Sequence, residues 1–102
     1  MADVVVQREI TDEKIEKYLG LTARALEKVK VLAPKRSHFD RLADDFMGMA
    51  KSYYADAKHF HASGDYINAF AAVNYAHGWL DAGARLGLFD VDEDDVLFTL
   101  AR

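Results

Sequence analysis

The fold of this chain is decided by residues 65–86, DYINAFAAVNYAHGWLDAGARL. The stretch has helical spacing, but apolar or small residues occupy almost every side of the helix that it predicts. A helix that is hydrophobic nearly all round belongs inside a bundle, where more than one neighbouring helix touches it. The stretch therefore predicts a central helix with packing partners on several sides.

The polar residues of this helix are confined to one narrow row. They follow one another at intervals of three, four and four residues, and they are Asn74, His77, Asp81 and Arg85. Two aromatic residues of the helical region, Tyr54 and Trp79, are further candidates for contact with a partner, provided that the bundle leaves them uncovered. These six residues form the predicted interaction surface.

A second long helix precedes the central one. Ser37 is its predicted N-cap, and apolar residues keep helical spacing until Gly64, which suits the left-handed position after a helix. Asp65 then caps the next helix at once. So short a turn predicts an antiparallel helical hairpin of about residues 37–63 and 65–86.

Counting outward from Gly64 predicts which residues of the hairpin face each other. Tyr53 falls opposite Tyr75, and Ala50 falls opposite Gly78. Because glycine is unfavourable inside a helix, we expect a close helix crossing at Gly78.

The first helix starts after Thr11, a predicted N-cap, and ends by Ala33, because Pro34 cannot continue it. Its apolar stripe would pack across the hairpin, so the predicted fold is an all-α, three-helix up-down-up bundle. We expect three segments. They are a flexible arm at 1–10, the bundle at 11–89 and an acidic, then apolar, tail at 90–102.

The composition suits one compact domain in a reducing compartment. The chain has 102 residues, of which 51% are hydrophobic, with one proline and no cysteine. The absence of cysteine excludes disulfides and thiolate metal sites, and it fits a cytoplasmic location. The N-terminal residues lack the pattern of a signal peptide, and no apolar run reaches the ~20 residues of a membrane span.

Candidate chemistry is weak. Asp56 and His59 on the second helix, with His77 and Asp81 on the third, have metal-ligand spacing, but the two pairs lie about two turns apart. The acids after Asp90 lack the glycine and glutamate of a calcium loop. No serine lies in a nucleophile elbow. We therefore expect no catalytic residue, no metal and no cofactor.

Cations gather around the turn between the first two helices, and they are Lys28, Lys30, Lys35 and Arg36, with Arg41 nearby. They could complement the helix dipole or contact an anion such as RNA. The net charge of −4 makes nucleic acid the weaker choice. In this topology the same turn lies near five acids of the tail, Asp90, Asp92, Glu93, Asp94 and Asp95, which are expected to cover it.

Two resemblances go further than periodicity. The region Tyr53–Ala76 resembles the inner part of one tetratricopeptide repeat, although no second copy follows at the ~34-residue period. Over Ile10–Phe98, the runs YYADAKHF, GDYINAFAAVNYAHGWLDAG and LGLF resemble an archaeal all-helical family, domain of unknown function 357. That resemblance implies a cytoplasmic helical protein and no activity.

The sequence thus predicts a non-enzymatic helical interaction module that binds a protein partner or a second copy of itself. The alternatives are a nucleic-acid-associated accessory domain that uses the turn around Lys28–Arg41, and a metal-binding helical protein. No membrane contact is expected.

Overall fold

The computed structural model describes residues 7–91, 94, 97 and 98 of the chain. The predicted three-helix bundle is confirmed. Its helices and strands, in chain order, are α1 (Asp12–Lys28), β1 (Lys30–Val31), α2 (His38–Ala62), α3 (Tyr66–Arg85) and β2 (Phe89–Asp90). Residues 1–6 of the predicted arm lie outside the described residues, as do Asp92, Glu93, Asp95, Val96 and residues 99–102 of the tail.

The helix ends follow the capping residues of the sequence. The side chain of Thr11 accepts a hydrogen bond from the Lys14 N–H, and those of Ser37 and Asp65 accept from the third residue after each. Gly64 takes a φ of 83° between α2 and α3, a conformation that glycine adopts without steric cost. The predicted hairpin of α2 and α3 is therefore confirmed, with its ends within one residue of expectation.

The short antiparallel pairing of β1 with β2 was not predicted. Lys30 lies opposite Asp90 and Val31 opposite Phe89, and the Leu32 N–H donates to the Leu88 carbonyl at 3.0 Å. Because Val29 already has extended backbone angles, α1 ends at Lys28, before the limit that Pro34 sets. β-Branched residues favour this extended conformation where a second strand is available.

The segment after α3 belongs to the core of the bundle. Leu80 and Ala50 are fully buried, and the segment adds five side chains that are at most 8% exposed, Leu88, Phe89, Val91, Leu97 and Phe98. The apolar end of the tail, as far as it is described, therefore packs on the helices as the sequence predicted.

One expectation about α3 is wrong. A Cβ atom built on Gly78 meets no atom within 4 Å, so no close helix crossing lies there. As predicted, α3 packs against two neighbouring helices, α1 and α2, but Ile67, Tyr75 and Leu86 are exposed. The reason is that α1 and α2 cover only part of its circumference. By contrast, the predicted contact of Tyr53 with Tyr75 is present, with ring centroids 4.5 Å apart.

Candidate interaction surface

An apolar stripe runs along the solvent-facing side of α3. We call it the outer stripe, and it consists of Ile67, Ala71, Tyr75, Gly78, Ala82 and Leu86. Residues at intervals of four or three lie on one face of a helix. The large members are exposed to 76% (Ile67), 51% (Tyr75) and 66% (Leu86). Such a contiguous apolar patch on a small domain is typical of a contact site.

The middle of the outer stripe is concave. Tyr75, Gly78, Trp79 and Ala82 line a shallow cavity of about 260 Å³. Because Gly78 has no side chain, the helix backbone is accessible at the floor of this cavity. An incoming side chain can therefore approach α3 closely at this point.

Aromatic rings from both helices of the hairpin support the stripe. Trp79 packs edge-on against Phe46 with centroids 5.0 Å apart, and Tyr75 contacts both Tyr53 and Trp79. Perpendicular aromatic pairs of this kind hold the rings in defined orientations. The Trp79 Nε1 atom is buried and has no hydrogen-bond acceptor among the described residues. Trp79 is therefore fixed largely by packing.

The predicted aromatic anchors are only partly available. Tyr54 and Trp79 are both half-buried, and the Lys58 ammonium lies 5.6 Å from the Tyr54 ring centroid. Tyr75 is more exposed than either of them, although it is not one of the predicted anchors. Helical periodicity does not indicate that Tyr75 is exposed, because its exposure depends on which sides of α3 the neighbouring helices cover.

The predicted polar row divides between solvent and packing. Asn74 and Arg85 are exposed, while His77 and Asp81 are half-buried. Asn74, His77 and Asp81 line a second cavity of about 210 Å³ together with Tyr18 and Leu21 of α1. The row therefore borders the outer stripe on the side of α1.

His77 connects three parts of the chain. Its Nε2 atom lies 2.5 Å from the Leu97 carbonyl oxygen, and its Nδ1 atom lies 3.0 Å from the Thr22 hydroxyl. A carbonyl oxygen only accepts, so Nε2 donates to Leu97, and the hydrogen bond with Thr22 is made by Nδ1. The Asp81 carboxylate is further away, at 3.9 Å from Nε2. These contacts give His77 a structural role that joins α1, α3 and the tail.

The predicted basic group is only partly covered by the tail. Lys28 Nζ lies 3.4 Å from the Asp94 carboxylate, and Lys30 lies across from Asp90 in the strand pair. Lys35 and Arg36, by contrast, are exposed. The structure thus confirms the approach of acidic residues to the start of the basic turn.

A polar cluster at the opposite end of the bundle was not predicted. The Asp12 carboxylate accepts a hydrogen bond from the Tyr66 hydroxyl, and His61 Nε2 lies 3.2 Å from the same oxygen. The hydrogen bond from Tyr66, aided by His61, lowers the pKa of Asp12, and the bond to Asp12 raises the pKa of Tyr66. The predicted topology could have indicated this cluster, because the start of α1, with Asp12, and the α2–α3 turn lie at the same end of an up-down-up bundle.

The candidate metal ligands do not form a site. Within the part of the chain that the structure describes, no three His, Asp or Glu side chains lie close enough together to hold a metal ion. None of the described helices combines the length and the hydropathy that a membrane span requires.

Comparison with known proteins gives a family and no activity. A family model described as "Protein of unknown function (DUF357)" matches residues 17–89, which run from the first turns of α1 to β2. No curated protein and no solved structure matches the chain.

Proposed function

The chain belongs to the DUF357 family, and we propose that it is a non-enzymatic helical interaction module that binds a protein partner on the outer stripe. The observation that carries this proposal is the exposure of Ile67, Tyr75 and Leu86 on a helix that is apolar nearly all round. A helix of this composition is normally covered by several neighbours, and the described residues cover only part of it.

The chemistry of α3 suits a protein contact. Besides His77, its 20 residues include one acid, Asp81, and one base, Arg85. Interface cores are poor in charged residues and rich in aromatic ones. Full burial of a side chain such as Ile67 or Leu86 contributes about 1.5–3 kcal/mol, so covering the stripe offers a substantial binding free energy. Tyr75, at its centre, has the position and type of a binding hot spot.

The polar row would form one edge of the same contact. Asn74 and Arg85 are exposed beside the outer stripe, where they can offer hydrogen bonds at a solvated rim. His77 is occupied by Thr22 and Leu97, so it would support the surface from within.

A photo-crosslinking experiment tests this function. Benzoylphenylalanine is placed at Tyr75, and the full chain is irradiated in the cells that naturally produce it. We expect a discrete protein adduct at this position. The matched control carries the same group at Arg24, which is exposed on α1. Equal adducts at both positions, or none at Tyr75, would refute the proposal.

The second candidate is an accessory domain that contacts nucleic acid through the basic turn. It is supported by the exposure of Lys30, Lys35, Arg36 and Arg41 at one end of the bundle. The net charge of −4 and the nearby Asp90 and Asp94 weigh against it. Binding of RNA that weakens steeply with salt would favour this candidate over the first.

A further inference from the structure

We infer that the partner on the outer stripe is a second copy of this chain, packed antiparallel so that the two α3 helices lie against each other. This inference rests on the proposed function and names its partner. The observation that carries it is the symmetry of the stripe, whose intervals of four, four, three, four and four residues are the same in both directions.

The symmetry places side chains of the two copies opposite each other in pairs whose sizes are similar or complementary. A two-fold axis beside the midpoint between Ala76 and His77 brings Ile67 level with Leu86 of the second copy, Ala71 level with Ala82, and Tyr75 level with Gly78. In a two-fold interface each such contact occurs twice.

Each pair of the stripe suits close helix packing. Large residues meet at the two ends, where both partners are exposed. Two alanines meet in between and allow a short interaxial distance. At the centre, each Tyr75 ring enters the cavity of about 260 Å³ that Gly78 and its neighbours form on the other copy.

The charges permit this pairing in spite of a net charge of −4 on each chain. With a helical rise of 1.5 Å per residue, the two Arg85 side chains lie about 26 Å apart and the two Asp81 side chains about 14 Å apart. Both separations exceed the Debye length of ~8 Å at physiological ionic strength. Along the helix axis, Asp81 instead lies near the position of Asn74 of the second copy. The Asn74 amide can donate a hydrogen bond to the Asp81 carboxylate.

The contact surface of the proposed dimer combines the outer stripe with residues of α2. The stripe extends over ~29 Å of helix, and α2 adds Tyr53 and Phe46, which already contact Tyr75 and Trp79. Stable interfaces bury about 600–1,000 Å² on each partner, so the contact has to include these aromatic residues of α2 as well as the stripe. The two hairpins would then form a four-helix arrangement.

Molar mass in solution is the first test. We expect the full chain to approach twice its mass of 11.5 kDa as concentration rises in sedimentation velocity. Tyr75→Lys should restore the mass of one chain. Phe39→Lys makes the same kind of change at a side chain that is 59% exposed on α2 and is not a member of the outer stripe, and it should leave the dimer intact. Circular dichroism confirms that both variants are folded.

Disulfide trapping tests the antiparallel arrangement, since the natural chain has no cysteine. Mixing an Ala71→Cys chain with an Ala82→Cys chain under mild oxidation should give a covalent heterodimer. Each variant alone should not cross-link efficiently, because equivalent positions lie ~17 Å apart along the helices, whereas a disulfide needs Cα atoms within about 7 Å. Efficient self-linking of the Ala71→Cys chain would refute the antiparallel pairing.

The results separate the inference from the proposed function. The chain could stay monomeric at every concentration and still form an adduct with a different protein at position 75. That result would overturn the inference of a second copy, but the proposed function as an interaction module would stand. A monomer without any adduct at that position overturns both. A dimer that Tyr75→Lys leaves unchanged shows that the contact lies elsewhere and also overturns the inference.

Discussion

Phe89 occupies the space that a side chain at Gly83 would need. A Cβ atom built on Gly83 would lie 3.1 Å from Phe89 Cζ and closer still to Cε2 and Cδ2. Phe89 belongs to β2 and lies opposite Val31 of β1. Because Gly83 has no side chain, the Phe89 ring can pack against α3, and the strand pair thereby contributes to the core. The glycine in α3 that matters for packing is thus Gly83, five residues beyond the one that helix counting indicated.

Gly83→Ala should therefore destabilise the fold. Alanine gains up to ~1 kcal/mol in helix propensity, but overpacking against Phe89 costs about 1–3 kcal/mol. We expect a net loss in the free energy of unfolding, measured with urea. The control is Gly48→Ala on α2, where an added Cβ meets no atom within 4 Å, and it should stabilise slightly. Equal gains in both variants would show that Phe89 moves aside freely.

Thr22→Val should weaken the link between α1 and α3. Thr22 is 1% exposed, and its hydroxyl meets His77 Nδ1 at 3.0 Å. Valine keeps the shape but removes the hydroxyl, which leaves a half-buried ring nitrogen without its partner. Loss of such a bond costs about 1–3 kcal/mol, visible as a lower midpoint in thermal unfolding.

A double-mutant cycle with His77→Leu isolates this interaction. The double variant should lose less stability than the sum of the two single variants, because its polar partners are removed together. Strict additivity would mean that Thr22 and His77 do not interact in solution.

Features set by neighbouring residues could be predicted from sequence, whereas features set by distant segments could not. Thr11, Ser37 and Asp65 cap their helices through bonds to residues three positions away, and Gly64 needs only its own backbone angle. The contact of Tyr53 with Tyr75 follows from that turn by counting. The strand pair joins residues some sixty positions apart, and two-residue strands have no periodicity.

The candidate surface shows the same division. The polar row of α3 was visible as a pattern, but which side of the helix remains exposed depends on where α1 and the tail pack. His77 was therefore proposed as a surface residue, although its contacts with Thr22 and Leu97 place it partly inside. Ile67, Tyr75 and Leu86 are exposed, although for the same reason the predicted interaction surface does not include them.

Tyr66→Phe should change the pH profile of stability. Asp12 has a pKa below its ordinary 3.8, so its contribution is present above that value and is lost as pH falls through the lowered pKa. Tyr66 has a pKa above its ordinary 10.0, so its contribution is present below that value and is lost as pH rises through the raised pKa. The thermal unfolding midpoint of the variant should therefore be lower than that of the natural chain at intermediate pH. The two midpoints should converge at very low and at very high pH.

The control for this profile is Tyr54→Phe, which removes a tyrosine hydroxyl from α2. Its difference from the natural chain should not follow the same pH dependence. If the Tyr66→Phe deficit were constant across the whole pH range, loss of packing rather than the bond to Asp12 would be its cause.

Amide substitution of the five tail acids should expose the basic turn without unfolding the bundle. The acids are Asp90, Asp92, Glu93, Asp94 and Asp95, of which Asp90 and Asp94 lie in the described part of the chain. The Lys28–Asp94 ion pair is partly exposed, and ion pairs near the surface contribute only ~0–1 kcal/mol. Asparagine at position 94 also keeps an oxygen to accept from the Leu97 N–H, a bond of 3.0 Å.

Binding of a short RNA at low salt then decides whether the tail shields a functional surface. We expect the amide-substituted chain to bind more tightly than the natural one, with an affinity that falls steeply as salt is added, because released counterions drive such binding. Adding Lys30→Gln, Lys35→Gln and Arg36→Gln should abolish the gain, since these cations are exposed at the turn. If both chains fail to bind, shielding is wrong, and the cations serve only the fold. Lys28 would then complement the carbonyl end of α1, where a positive charge is stabilising.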